Sequence, residues 1–233
     1  MIDALDRFFY PQYSDNWDNS VFRERILRHL RSTSIVLDLG AGSGHIPQMN
    51  FRGQAAKVCG LDPEAAVLDN EYLDVGKVGG GEAIPWPNDT FDVVFSGNVM
   101  EHLSEPEKVF AEIHRVLKPG GTFLCKTPNQ FHYVALIARF TPFWFHAAFN
   151  KVRGRSESHT FPTFYRANSK AKLQRLARLA GFTSNVERIE GRPEYTRFLL
   201  LYPFGLLWER VVNRFKVLSF LRVIIIAEFF KPS

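Results

Sequence analysis

Residues 35–44 read Ile35-Val36-Leu37-Asp38-Leu39-Gly40-Ala41-Gly42-Ser43-Gly44: an apolar run, broken by one acid, that stops at three alternating glycines. A short apolar run bounded by glycines reads as a buried strand. Glycine is required where the backbone takes positive φ, or where a ligand must approach the main chain closely. The stretch therefore predicts a strand, a tight turn and the opening of a helix. In an open α/β sheet such a turn sits at the carboxyl end of its strand, where ligands bind.

Outward from this turn the same pattern repeats. Lys57-Val58-Cys59-Gly60-Leu61 is a second apolar run, ending at Asp62, and Phe91–Ser96 and Gly121–Thr127 are two more. Glu105–Leu117 has helical spacing, with Val109, Phe110, Ile113, Val116 and Leu117 apolar, and Pro119-Gly120-Gly121 ends it. Upstream, Ser20–Arg31 reads as an amphipathic helix with Ser20 as N-cap. Downstream, Asn168–Ala180 reads as a helix capped by Asn168 or Ser169 and stopped by Gly181. Phe182–Ile189 follows as a strand, Leu206–Leu221 as a basic amphipathic helix and Arg222–Phe229 as a final strand. Alternating strands and helices predict a mostly parallel sheet built by right-handed crossovers. Residues 129–167, aromatic, basic and irregularly punctuated, read as an insertion over the strand ends. The whole chain, 1–233, reads as one domain with an N-terminal cap (1–31) and an accessory helical segment (191–221).

The chain has a net charge of +5, unevenly spread: nine Lys or Arg lie between Arg139 and Arg178, against Glu157 alone. Such a segment can face nucleic acid, an anionic membrane or an anionic small substrate. Cys59 and Cys125 show no metal-ligand spacing and no disulfide framework, which suits buried thiols in a reducing, cytoplasmic setting; the basic segment and helix 206–221 extend that expectation to peripheral contact with the inner face of a membrane. No metal site is expected. The opening residues lack the order of a signal peptide. The longest apolar stretch, Phe198–Trp208, is broken by Pro203 and Gly205, short of the roughly 20 residues a membrane span needs.

The glycine spacing is GxGxG; His45 stands beside it, so the third glycine of a dinucleotide-binding GxGxxG is absent, which argues against a nicotinamide oxidoreductase. Asp62 closes the second strand about twenty residues on, where an acid accepts hydrogen bonds from a ribose diol. Asp38 sets a carboxylate beside the loop. It would repel a pyrophosphate and tolerate or attract a sulfonium ligand bearing an ammonium group.

VLDLGAGSG at 36–44 resembles the first motif of class I S-adenosylmethionine-dependent methyltransferases. Gly60-Leu61-Asp62-Pro63 is similar to their second-strand acidic motif. Gly81–Val94 resembles the stretch leading into their fourth strand, and Asn98–Leu103 with Glu112–Gly121 resembles the "EHL…EIxRVLKPGG" segment of the branch acting on quinones, sugars and lipids. The resemblance covers residues 35–128, with Ala180-Gly181-Phe182 as a further match. It implies a Rossmann-like α/β fold: a seven-stranded, mostly parallel sheet with helices on both faces and an antiparallel last strand. An aromatic, helical insertion would follow strand five and an extra helix would separate strands six and seven. It implies S-adenosylmethionine as cofactor and S-adenosylhomocysteine as product. Asp38, Gly40, Ala41, Gly42, Ser43 and Gly44 would line the cofactor, and Asp62 would hold its ribose with Pro63 beside the adenine. Glu82 and Ala83 would lie at the adenine turn, and Asn98 and Val99 under the methyl group. The pattern departs at Gly80, where the family usually carries Asp.

Glu101 and His102 are the candidates for base chemistry. His132, Tyr133, His159, Tyr165 and Arg166 are candidates for substrate contact, and Trp17 and Arg23 for closing over the cofactor. Phe140, Phe143, Trp144, Phe145 and Phe149 beside Arg139, Lys151, Arg153 and Arg155 would suit an amphiphilic, anionic acceptor. The expected partner is thus a small or lipid-linked molecule, with peripheral contact to an anionic membrane and no nucleic acid. The competing readings are a tRNA or rRNA methyltransferase, which lacks support from any Asn/Asp-Pro-Pro-Tyr motif, and a non-catalytic cofactor-binding subunit.

Overall fold

The computed structural model describes residues 2–11, 13, 16–140, 161–193, 196 and 200–233. Seven strands form one sheet: β1 (Ile35–Leu39), β2 (Lys57–Asp62), β3 (Val75–Val78), β4 (Phe91–Gly97), β5 (Leu117–Pro128), β6 (Thr183–Ile189) and β7 (Ile224–Phe230), in the order β3-β2-β1-β4-β5-β7-β6. β3, β2, β1, β4 and β5 are mutually parallel, and β7 runs antiparallel to both β5 and β6. Strand order reverses at β1, which pairs with β2 on one side and β4 on the other. The crevice at its carboxyl end is therefore the natural ligand site.

Six α-helices accompany the sheet among the described residues: α1 (Ile2–Phe9), α2 (Trp17–Leu27), α3 (Pro106–Val116), α4 (Tyr133–Phe140), α5 (Lys170–Ala180) and α6 (Tyr202–Arg214). Strand residues alternate between two cores, as the pleat requires. Leu37, Leu39, Val94, Phe123 and Cys125 meet Val109, Phe110 and Ile113 of α3 and Leu173, Leu176 and Ala177 of α5. On the other face Val36, Val58, Val93, Phe95 and Leu124 meet Phe22 and Ile26 of α2, with Phe51 and Val67.

The expected helix after the glycine loop does not form. Seventeen residues join β1 to β2 and 12 join β2 to β3, and Pro47 and Gly53 interrupt the first connection. They hold single 3-10 turns at Pro47–Met49 and Ala65–Asp69. The N-terminal helix covers this face instead. It starts three residues before the expected position, at Trp17, and Ser20 is not its cap; Asn16, at φ 56°, precedes it in the left-handed region. Ser169 caps α5 by accepting from Lys172 N–H, and Gly181 ends it at φ 89°. The expected helix 206–221 is instead α6, an extended break at Phe215 and a 3-10 turn over Lys216–Leu221. β5 reaches back to Leu117, so Pro119-Gly120-Gly121 ends α3 while already pairing with the chain end: Gly120 N donates to Lys231 O and Lys231 N to Gly121 O.

Candidate active site

At the end of β1 the chain turns on Gly40, Gly42 and Gly44, at φ 85°, 49° and 79°. Polar groups hold this turn. The amides of Gly40 and Ala41 donate to Leu61 O at 2.8 and 3.3 Å, and that of Gly42 to Asp62 Oδ2 at 2.9 Å. Asn70 Nδ2 donates to Ala41 O and Gly42 O, each at 3.1 Å. A Cβ on Gly40 would lie 2.2 Å from Val99 Cγ2, whereas nothing lies within 4 Å of one on Gly42. The main chain at Gly42 is thus open to a ligand.

The turn walls a cavity of about 190 Å³ lined by Asp38, Gly40, Ala41, Gly42, Ser43, Gly44 and Asn98, together with Asn19, Ile46, Asn70, Tyr72 and Phe95. Asp38 is 8% exposed, and its carboxylate has no hydrogen-bond or ion-pair partner among the described residues. Burial, then the negative charge of Asp62, raises its pKa well above the ordinary carboxylate value. A cation entering the cavity would relieve that cost; a phosphate would add to it.

Asp62 faces the turn from below, its two oxygens accepting from Gly42 N and Glu64 N. It is 8% exposed and does not line this cavity, and neither do Pro63, Glu82, Ala83 or Val99. Val99 packs on Gly40, and Glu82 stands over Gly80, where a Cβ would come within 2.7 Å of its Oε2. Arg23 does not close over the site. Its guanidinium donates to Gln48 O and Asn50 O at 2.6 and 2.8 Å and lies 4.6 Å from the Phe51 ring centroid, pinning the segment after the glycines.

A second cavity, of about 430 Å³, shares Asn19, Ile46 and Asn98 with the first and extends to Trp17, Asp18, Glu101, Pro128 and Arg192. A third, of about 200 Å³, shares Glu101, Pro128 and Val223 with the second and reaches His102, His132, Thr163 and Tyr165. Through these shared walls the three adjoin along the carboxyl ends of β1, β4 and β5. Lys126 of β5 is fully buried beside the second cavity, its ammonium donating to Asp18 Oδ2 at 2.5 Å and to Asn19 Oδ1.

The third cavity gathers most of the chemical candidates. His102 Nδ1 lies 2.9 Å from Pro162 O. A carbonyl can only accept, so Nδ1 carries a proton, and in the neutral ring Nε2 holds the lone pair. Glu101 is buried; its Oε2 accepts from Thr127 Oγ1 at 3.0 Å, and that hydroxyl accepts from Asn168 Nδ2 at 2.6 Å. Burial raises the Glu101 pKa. His132 is buried, its Nε2 3.0 Å from Glu209 Oε1 on α6, and Tyr133 stacks edge-on with Trp208 at 5.3 Å. Residues 162–166 lie over the Glu101–His102 turn: Phe164 and Tyr165 N–H donate to Glu101 O, and Arg166 Nη1 donates to Ser104 O at 2.5 Å. Arg166 is spent on that carbonyl and does not line the cavity. His159 and residues 141–160, with Phe143, Trp144, Phe145, Phe149, Lys151, Arg153 and Arg155, lie outside the described residues, as do the side chains of Arg139 and Phe140.

Residues 37–125 match the family model described as a methyltransferase domain. Over these residues the chain is similar to S-adenosylmethionine-dependent methyltransferases. The matched segment runs from β1 to β5 and includes every strand that walls the glycine cavity. An uncharacterized methyltransferase of Schizosaccharomyces pombe is 32% identical over 120 residues, covering 43% of this chain and 42% of that protein. The demethylmenaquinone methyltransferase of Symbiobacterium thermophilum is 32% identical over 135 residues, covering 53% of each. The chain thus spans about half the length, or less, of these curated relatives. In fold, the domain is similar to a SAM-dependent methyltransferase from Archaeoglobus fulgidus, with a TM-score of 0.62, 16% identity and 98% of both chains covered.

Several residues of the site carry no family signal in the sequence. Asn19, Ile46 and Asn70 sit in the N-terminal helix and in the two short crossovers, and Glu209 looks in sequence like an ordinary surface charge. Lys126, inside the apolar run of β5, is the one visible clue.

Proposed function

We propose that this chain transfers a methyl group from S-adenosylmethionine to a small or lipid-linked acceptor. The observation that carries the reading is the buried, unpartnered Asp38 carboxylate facing a glycine cradle open at Gly42. That arrangement fits a cationic ligand that needs close main-chain approach. When bound, the cofactor supplies an electrophilic methyl group on a sulfonium. The Gly40–Gly44 amides and Asp38 would hold its amino-acid part, while Asp62 keeps the turn in shape.

The acceptor would occupy the third cavity, and the chain's part in the reaction is chiefly orientation. Thr127 and Asn168 fix the Glu101 carboxyl from one side, and Pro162 O fixes the His102 ring from the other. His102 Nε2 would take the proton from a hydroxyl or acidic carbon acceptor. The quinone methyltransferase among the relatives favours an acceptor of that chemistry over nucleic acid.

Calorimetric titration with S-adenosylhomocysteine tests the reading. Micromolar binding by the native chain, lost when Gly42 is replaced by a bulky residue, is the expected result. No heat at millimolar ligand overturns it.

A further inference from the structure

The solvent face of α6 is its apolar one. Phe204, Leu207 and Val211 are 72, 64 and 37% exposed, while the opposite face buries Tyr202, Gly205, Glu209 and Val212. A surface helix on a globular core normally turns its charged residues outward and its leucines inward. Here Glu209 is fully buried against His132, and nothing among the described residues packs over the apolar stripe. The stripe continues beyond the helix: Phe215 and Val217 are 55 and 80% exposed. It also continues sideways onto α1, where Phe8 is 77% exposed. The two helices are joined by Tyr202 Oη donating to Asp6 Oδ1 at 2.7 Å, and by Arg210 lying 4.9 Å from the Phe9 ring centroid.

Cations flank this stripe. Arg210, Arg214 and Lys216 are exposed and form no ion pair among the described residues, while Asp6 and Glu209, the acids of these elements whose side chains are described, are buried. An apolar strip edged by unpaired cations is the complement of an anionic bilayer surface, where the rings and leucines enter the acyl boundary and the cations meet headgroups. Among the described residues no helix is long and apolar enough to cross a membrane, so contact would be peripheral.

We propose that α6 and α1 dock the protein on an anionic lipid surface. The buried face of α6 supplies Glu209 to His132, and Trp208 of the same helix meets Tyr133, at the acceptor end of the site. Docking therefore sets that end next to lipid, and an acceptor carried on a lipid is the class it serves. This last step rests on the methyl-transfer reading; the docking does not.

Co-sedimentation with vesicles of phosphatidylcholine and phosphatidylglycerol in equal amounts tests the docking. The native chain should partition onto them, weakly onto phosphatidylcholine alone, and less in high salt. Phe204→Ser with Leu207→Ser should lower the partition coefficient at least about tenfold, and Arg210→Glu with Arg214→Glu should abolish the preference for anionic lipid. Both variants should keep the native circular dichroism and the native affinity for S-adenosylhomocysteine. The proposal is overturned if the native chain ignores anionic vesicles or if the serine variant partitions as the native does. It is equally overturned if light scattering shows a dimer that the serine substitutions dissolve. Vesicle binding without cofactor binding would overturn the methyl-transfer reading and leave the docking standing.

Discussion

Replacing Asp38 with Asn separates what that carboxylate does for the empty fold from what it does for a ligand. Asp38 is buried, without a protein partner among the described residues, and its pKa is raised by burial and by Asp62. In the unfolded chain it titrates at the ordinary value, near 3.9. Between that value and its raised one the folded state holds a proton that the unfolded state has lost, so stability falls as pH climbs through the window. The Asn variant lacks this fall and should be as stable as the native chain at low pH and more stable at high pH. Ligand binding should show the opposite sign. An ammonium paired with Asp38 favours the ionised form, so binding expels the proton and affinity should rise with pH across the same window. A hydrogen bond between charged groups contributes about 1.5–3 kcal/mol, so Asp38→Asn should weaken S-adenosylhomocysteine binding about ten- to a hundredfold. Calorimetry across the pH range, with urea melts of the free proteins, reads both effects. An Asn variant that binds within twofold of native, or a native affinity that drops as pH rises, would refute the reasoning.

Gly42→Ala should fold, because the space above it is open, and should cost about 1–2 kcal/mol for a side chain at φ 49°; its methyl should reduce cofactor affinity by more than that loss explains, measured by thermal shift with and without ligand. Gly40→Ala should be less stable than Gly42→Ala in the same melts, since its Cβ would meet Val99 Cγ2 at 2.2 Å. Asp18→Ala strands the buried Lys126 ammonium and should cost about 3–5 kcal/mol, whereas Lys126→Met should cost less, because Asp18 is 24% exposed and can turn to water; urea denaturation of the two variants compares them. His102→Ala should lower kcat about 10²- to 10⁴-fold with a hydroxyl acceptor and leave S-adenosylhomocysteine affinity unchanged; equal losses in both would assign the ring to cofactor binding instead.

The strands were legible because burial on both faces writes them as apolar runs: β1, β2 and β4 begin where the runs begin. β3 was not, since Val75-Gly76-Lys77-Val78 is short, half-buried and carries a lysine and a glycine. The glycine turn could be read because positive φ demands glycine, a constraint local to a few residues. Asp62 illustrates the limit: its place at the end of β2 was plain, while its engagement with the Gly42 and Glu64 amides depends on the register of β1 against β2. His132 was singled out as a substrate contact, yet its partner Glu209 lies 77 residues away on a helix whose charged face is turned inward, against the usual amphipathic rule.

The missing crossover helices explain why so much of the site escaped the sequence pattern. In a doubly wound sheet the helix after the glycine turn ordinarily stiffens the turn through its own backbone bonds. Here the connections before and after β2 hold only 3-10 turns, and three side chains do that work: Asp62 on an amide, Asn70 on two carbonyls and Arg23 on two more. Arg23 belongs to α2, as do the Asp18 and Asn19 that seat Lys126. The N-terminal helix is thereby built into the wall of the glycine cavity through Asn19 and tied by Arg23 to the segment that follows the glycines. Cofactor affinity in this chain should therefore track the docking of α2. Arg23→Ala should weaken S-adenosylhomocysteine binding although the guanidinium lines none of the three cavities, and it should raise hydrogen exchange at the Gly40–Gly44 amides together with that of α2. Exchange that rises in α2 alone would show that the turn stands without it.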